Sequence, residues 1–209
     1  MTSATQPVPK GELTRQRILD AAEVVFSELG YDAARLEDVA SAVGIRRASI
    51  VYYFKNKQEL YDAVDAAIFS ALQAQSQFRL EMGKTALERV QLTLDSWLDF
   101  MVARPTAARI IQRNSADLTP RSLNPMEFSE TTMAQLEKTV GDGQASGEFG
   151  PADPVLLMNI LGAGILNYVC LARLLGEERR YDPAEPERLA QFRVMLHQTL
   201  RSLLLPRAG

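Results

Sequence analysis

Apolar residues recur at three- and four-residue intervals along nearly the whole chain, and no useful stretch alternates with the period of a strand. The pattern predicts an all-α protein. Ile18, Ala22, Val25, Phe26 and Leu29 form the buried stripe of a first helix over about residues 12–29, closed by Gly30. Residues 36–54, LEDVASAVGIRRASIVYYF, then read as a short helix, a tight turn and a second short helix. Val39 and Val43, four apart, give the first of these an apolar face, and Ala40 is small enough for another helix to approach. Gly44 stands where a helix ends most easily with positive φ, and Ile45 is the apolar plug after the turn. Ile50 and Phe54 give the second helix its inward face. A further helix starts near Lys57 and continues to about Met82, with Leu60, Val64, Ala67, Ile68, Ala71 and Leu72 on one side.

Gly83 breaks that pattern. A helix over about residues 85–103 turns Leu87, Val90, Leu94, Trp97, Leu98 and Met101 inward, and Arg104-Pro105 ends it, because proline restricts the residue before it. A shorter helix over about 106–115 carries Ile110 and Ile111, residues 117–125 read as a loop, and another helix covers about 126–144. Ser146–Gly150 is a turn, and Asp153-Pro154 is a helix start with an N-cap carboxylate and a proline in the first position. The run from Val155 to Leu175 reads as one long, greasy helix. Its length also suits a bilayer span, but Asn159, Asn167 and Arg173 interrupt it and no basic cluster flanks its start. A core helix whose other side packs on a partner subunit is the better reading. The last helix, about 186–205, carries Leu189, Phe192, Leu196, Leu200, Leu203 and Leu204.

Composition narrows the function classes. The chain has 209 residues, 46% hydrophobic and 23% charged, enough for one sizeable core or two small ones. Its net charge of −3 argues against a nonspecific coat on DNA. The charge is uneven: residues 1–60 hold eight basic and eight acidic side chains, and the remainder carries the whole excess of acid. A single cysteine forbids an internal disulfide and fits a reducing compartment; the first ten residues lack the pattern of a signal peptide, so a cytoplasmic location is expected. Those ten residues read as a solvated arm from which Lys10 can brush a phosphate. Cys170 lies in the most apolar helix and His197, the one histidine, sits among leucines, so each reads as a packing residue. No Cys/His metal set and no GxxxxGK[ST] phosphate loop is present. No enzyme activity, metal or cofactor is expected.

The second helix of the pair leaves Arg46, Arg47, Ser49, Val51, Tyr52 and Tyr53 off its inward face. They offer cationic forks, hydroxyls and aromatic edges on a rod that fits a DNA major groove. An ordinary helical hairpin with a solvated second helix is the bland alternative. A helix of suitable length before the pair and the turn Lys55-Asn56-Lys57 after it favour DNA. Arg47 is the first candidate for reading a guanine through two bonds, and Arg46 can do the same or grip phosphate.

The segment Thr14-Arg15-Gln16-Arg17-Ile18-Leu19-Asp20-Ala21-Ala22, followed by Phe26, Gly30-Tyr31, Val39-Ala40, Gly44-Ile45, Tyr52-Tyr53-Phe54, Lys57 and Leu60, resembles the N-terminal domain of the TetR family of bacterial transcriptional regulators. The resemblance implies an all-helical homodimer that represses transcription and leaves DNA when a small molecule binds its C-terminal domain. It implies a helix-turn-helix domain over residues 11–60 and a ligand-binding and dimerisation domain over 61–209, with the last two long helices forming the dimer interface. It also implies backbone contacts from Ser49, Tyr52, Tyr53 and Lys57, a base-facing place for Val51, and a place near the groove for Glu37, which accepts from a cytosine amine or is merely solvated. Arg35 stands where many members have a phosphate-binding hydroxyl cap, and Arg46 where many have a capping serine. Trp97, Phe100, Met101, Arg104, Ile111, Phe128, Met133 and Asn167 fall on helices that enclose the family's pocket, and their chemistry suggests a mostly apolar effector. The rival reading is a helical small-molecule-binding or scaffold protein whose helix pair does not bind DNA, favoured by Val51, Ala34 and the neutral N-terminal segment.

Overall fold

The computed structural model describes residues 9–116 and 127–206, with side chains in the second stretch from Glu130 onward. Among the described residues the fold is all-α, without strands. The helices are α1 (Lys10–Ala33), α2 (Leu36–Val43), α3 (Arg47–Tyr53), α4 (Lys57–Leu80), α5 (Ala86–Ala103), α6 (Pro105–Ala116), α7 (Glu127–Ala145), α8 (Pro154–Leu157), α9 (Ala163–Cys170) and α10 (Pro186–Leu204), with a π-helical turn, Met158–Gly162, between α8 and α9. Two compact units divide between Ala67 and Ile68, inside α4; the family resemblance puts the boundary at 60–61.

In the first unit, Ile18, Ala22, Phe26, Val39, Ile50, Phe54 and Leu60 make the core. Leu29, expected in the buried stripe of α1, is instead 47% exposed. Leu29 shares the face of Ala22 and Phe26, but it is the last residue before the helix breaks its regular path. Gly30, with φ 77°, then kinks the helix.

In the second unit the helix ends are fixed by capping groups that the sequence carries locally. Thr85 Oγ1 accepts from the Glu88 N–H at 3.1 Å while Glu88 accepts from the Thr85 N–H at 3.3 Å, a reciprocal cap on α5. Asp153 Oδ1 accepts from Val155 at 2.8 Å and starts α8. Glu148 adds a long-range cap: its carboxylate accepts from the Ala86 and Leu87 N–H groups at 2.9 and 3.0 Å. Those bonds, against burial that pushes it up, hold the Glu148 carboxyl below its ordinary range.

The single long helix expected over Val155–Leu175 is not formed. A π turn interrupts it, and it stops at Cys170. The carbonyl of Tyr168, which a continuing helix would offer to residue 172, accepts the Tyr181 hydroxyl at 2.6 Å instead. Tyr168 also stacks on Phe192 of α10, with ring centroids 4.1 Å apart. Among the described residues no helix is long and apolar enough to cross a membrane. On α10, Leu196, Leu200 and Leu204 are buried, but Leu203 is 37% exposed, and Val194 and Met195 also face outward.

Candidate nucleic-acid interface and ligand cleft

The α2–α3 pair is built by short-range chemistry. Arg35 cannot cap α2 with its side chain, so its backbone N–H is held by Asp38 Oδ2 at 2.8 Å. Gly44 (φ 75°) closes α2, and the Ile45 N–H returns to the Ala40 carbonyl at 3.0 Å. Arg17 donates to the Val43 carbonyl at 3.1 Å, a cation on the negative end of α2. Ile50 and Phe54 are buried, as their spacing predicts, and the Arg15 guanidinium lies 5.1 Å from the Phe54 ring centroid. No side chain caps α3 at Arg46.

This packing leaves Arg46, Arg47, Val51 and Tyr52 exposed, Tyr52 by 84%. Arg47 and Val51 are four apart on α3 and share a face. Ser49 and Tyr53 are half-buried, and Tyr53 meets Tyr52 edge-on at 5.1 Å. Arg35 and Glu37 are exposed on the N-terminal side of α2, and Glu37 pairs with Arg47 at 2.9 Å. The structure therefore brings Glu37, Arg47 and Val51 onto connected outward faces.

Lys57 is placed differently. Its ammonium donates to the carbonyls of Tyr31 (2.7 Å), Asp32 (3.2 Å) and Ala34 (3.1 Å), and lies over the Tyr31 ring at 4.4 Å. Its three hydrogens close the C-terminal end of α1. Lys55 is the exposed lysine of that turn; from the sequence the turn counts in favour of DNA, with no contact assigned to Lys55 itself. Its backbone N–H is tied to Glu59 Oε2 at 2.8 Å, so the side chain starts from a fixed point.

In the second unit, a narrow apolar cleft of only about 10 Å³ lies between α5, α7, the α8–π segment and α10. Val90, Leu94 and Trp97 line it from α5, Leu136 from α7, Leu157 and Leu161 from the α8–π segment, and Leu200 from α10. The Trp97 indole Nε1 is buried and has no hydrogen-bond partner among the described residues. Gly162 lets the chain approach that ring: a Cβ there would sit 3.3 Å from Trp97 Cζ3.

Of the expected ligand residues, Trp97 lines this cleft. Phe100 and Met101 are buried core, Ile111 and Met133 are half-buried away from it, and Asn167 is exposed, with its Oδ1 accepting from Gln112 at 2.8 Å. Arg104 lies 5.7 Å from the Phe100 ring centroid. The side chain of Phe128 lies outside the described residues. His197, read from sequence as a packing residue, reaches Asp95 Oδ1 through Nε2 at 2.9 Å. Burial pushes the Cys170 thiol up.

Residues 18–64 match the family model for bacterial regulatory proteins of the tetR family. The chain is 24% identical over 178 residues to the HTH-type transcriptional regulator YhgD of Bacillus subtilis, covering 84% of this chain and 90% of that one. It is 43% identical over 47 residues to IcaR of Staphylococcus epidermidis, the negative transcriptional regulator of the biofilm operon icaADBC, covering 22% of this chain and 25% of that one. Its fold is similar to that of the transcriptional regulator FadR of Bacillus subtilis in complex with stearoyl-CoA, with a TM-score of 0.70 at 19% identity over 88% of this chain and 96% of that one.

Proposed function

From the premise that the chain belongs to the TetR family of bacterial regulatory proteins and is a transcriptional regulator, we propose that it represses transcription as a homodimer on a palindromic operator and is released by a small, mostly apolar effector. The observation that carries the DNA reading is the exposed face of α3, where Arg46, Arg47, Val51 and Tyr52 stand clear of a core sealed by Ile50 and Phe54. A rod of that width enters a major groove, Arg47 and Arg46 supply forks for guanine or phosphate, and Tyr52, Tyr53 and Ser49 supply hydroxyls for the backbone. Lys55 adds an exposed cation beside them. Repression is supported by the likeness of the first unit to IcaR, a negative regulator.

We place the effector site at the narrow cleft around Trp97, which the surrounding side chains have to widen before a ligand fits. The cleft lining is aliphatic apart from the indole, the Met158 thioether and Thr93, whose hydroxyl already donates to the Arg89 carbonyl at 2.9 Å. The stearoyl-CoA bound to FadR has an apolar chain of the same chemical character. A second copy would cover α10 and the α8–π segment, where Leu156, Ile160, Val194 and Met195 stand 53–64% exposed. α4 continues unbroken from Lys57 to Leu80, which gives a ligand-induced shift a covalent route toward α3.

The test is binding of the purified protein to labelled DNA from upstream of its own gene, over a salt series and against scrambled DNA. Specific binding that weakens steeply with salt, and that Arg47→Ala weakens by about tenfold or more, is the expected result. Equal weak binding to both DNAs would move the reading to the rival scaffold role.

A further inference from the structure

Arg47 Nε donates to Glu37 Oε1 at 2.9 Å, and among the described residues neither side chain makes another bond. Nε is the inner nitrogen of the guanidinium. A bond there leaves Nη1 and Nη2 side by side and unoccupied, and such a paired edge matches guanine O6 and N7. Both side chains are 60% exposed, so the ion pair adds little to stability. A carboxylate on this surface also repels phosphate, which counts against Glu37 as a mere solvated charge in a DNA-binding face. It fits a device that trades affinity for selectivity.

Accepting the DNA reading above, on which this rests, we propose that Glu37 is a positioning residue: it fixes the Arg47 side chain from α2 so that the terminal nitrogens meet a guanine in the groove. An unanchored arginine would adopt many rotamers and settle on phosphate or on several bases. Anchored at Nε, it loses that freedom before DNA arrives. Glu37 then acts through Arg47, and base choice at one operator position belongs to the pair.

The experiment is selection of duplexes from a random-sequence pool by the full-length protein, in parallel for wild type, Glu37→Gln, Arg47→Ala and the double variant. Wild type is expected to enrich a motif with a guanine at one position of each half-site. Arg47→Ala should erase that preference. Glu37→Gln should reduce it about two- to fivefold at the same position, while binding to unselected DNA tightens because a negative charge is gone. The double variant should match Arg47→Ala alone. If Glu37→Gln keeps the guanine preference, weakens all sequences alike, or changes a cytosine position that Arg47→Ala leaves intact, the positioning role is wrong while the DNA reading stands. No enriched motif with wild type would remove both.

Discussion

Lys57 Nζ lies 2.7 Å from the carbonyl oxygen of Tyr31 and 4.4 Å from the centroid of the same residue's ring, so one ammonium closes the end of α1 by hydrogen bond and by cation–π contact. With the Asp32 and Ala34 carbonyls it spends all three donors within the protein. Lys57→Met is therefore expected to lower stability by about 1–3 kcal/mol, the range for a charged donor lost from partly buried acceptors. Urea denaturation of the full chain measures it. A loss of DNA affinity without any loss of stability would return Lys57 to the phosphate-contacting role that the family resemblance implies.

Asp65 is buried on α4, and burial, with the nearby Asp62 carboxylate, pushes its carboxyl up from 3.8 to about 6. A folded value above the unfolded one means that the fold favours the protonated acid. Its contribution is fully present below about pH 4 and is lost as the pH rises through about 6. Asp65→Asn should be more stable than wild type at pH 8 by roughly 1–3 kcal/mol, and the gain should vanish near pH 4. Paired denaturation curves at the two pH values would show it; a gain independent of pH would refute the assignment.

Much of the first unit was legible because its rules are local. Val39, Val43, Gly44, Ile50 and Phe54 act through spacings of a few residues, and each stands where its type predicts. The helix start at Asp153-Pro154 was readable for the same reason. Long-range partners were not. Lys57 bonds to carbonyls 23 to 26 positions earlier, and Glu37 meets Arg47 across two helices. The cleft draws its lining from separate helices, so among the candidates chosen by helix and chemistry Trp97 was found while Leu136, Leu161 and Leu200 were missed. The end of α9 at Cys170 depends on a tyrosine from the following loop, which no periodicity in Val155–Leu175 reveals.

Arg193 bridges α10 to α5. It pairs with Asp95 at 2.7 Å and with Asp99, whose other oxygen binds Arg79 at 2.6 Å. Burial raises the Asp99 carboxyl, but the bonds to Arg193 and Arg79 outweigh it and hold it below its ordinary range. Arg193→Leu leaves two half-buried carboxylates with one fewer cation, and should cost about 1–3 kcal/mol at pH 7. A depressed folded value gives stability that is present above the unfolded carboxylate value and lost as the pH falls through the folded one, so the deficit should shrink in acid below about pH 4. Thermal melts of both proteins from pH 7 to pH 3 read the convergence directly.

Trp97 is the sole tryptophan of the chain and it borders the cleft, so its fluorescence reports that site and no other. Among the described residues its buried indole N–H lacks a partner, a state that costs free energy until an acceptor arrives. Among apolar compounds of equal size, one with a carbonyl oxygen should therefore bind more tightly than the matching hydrocarbon. A medium-chain methyl ketone is expected to change the tryptophan emission on titration and to bind about three- to tenfold more tightly than the alkane of the same length, the worth of one neutral hydrogen bond. Leu157→Phe, at the wall of the cleft, should weaken both compounds by filling their space. Equal affinity for ketone and alkane would leave the cleft as the apolar site but remove the indole from recognition. No emission change with either compound at concentrations that alter DNA binding would place the effector elsewhere.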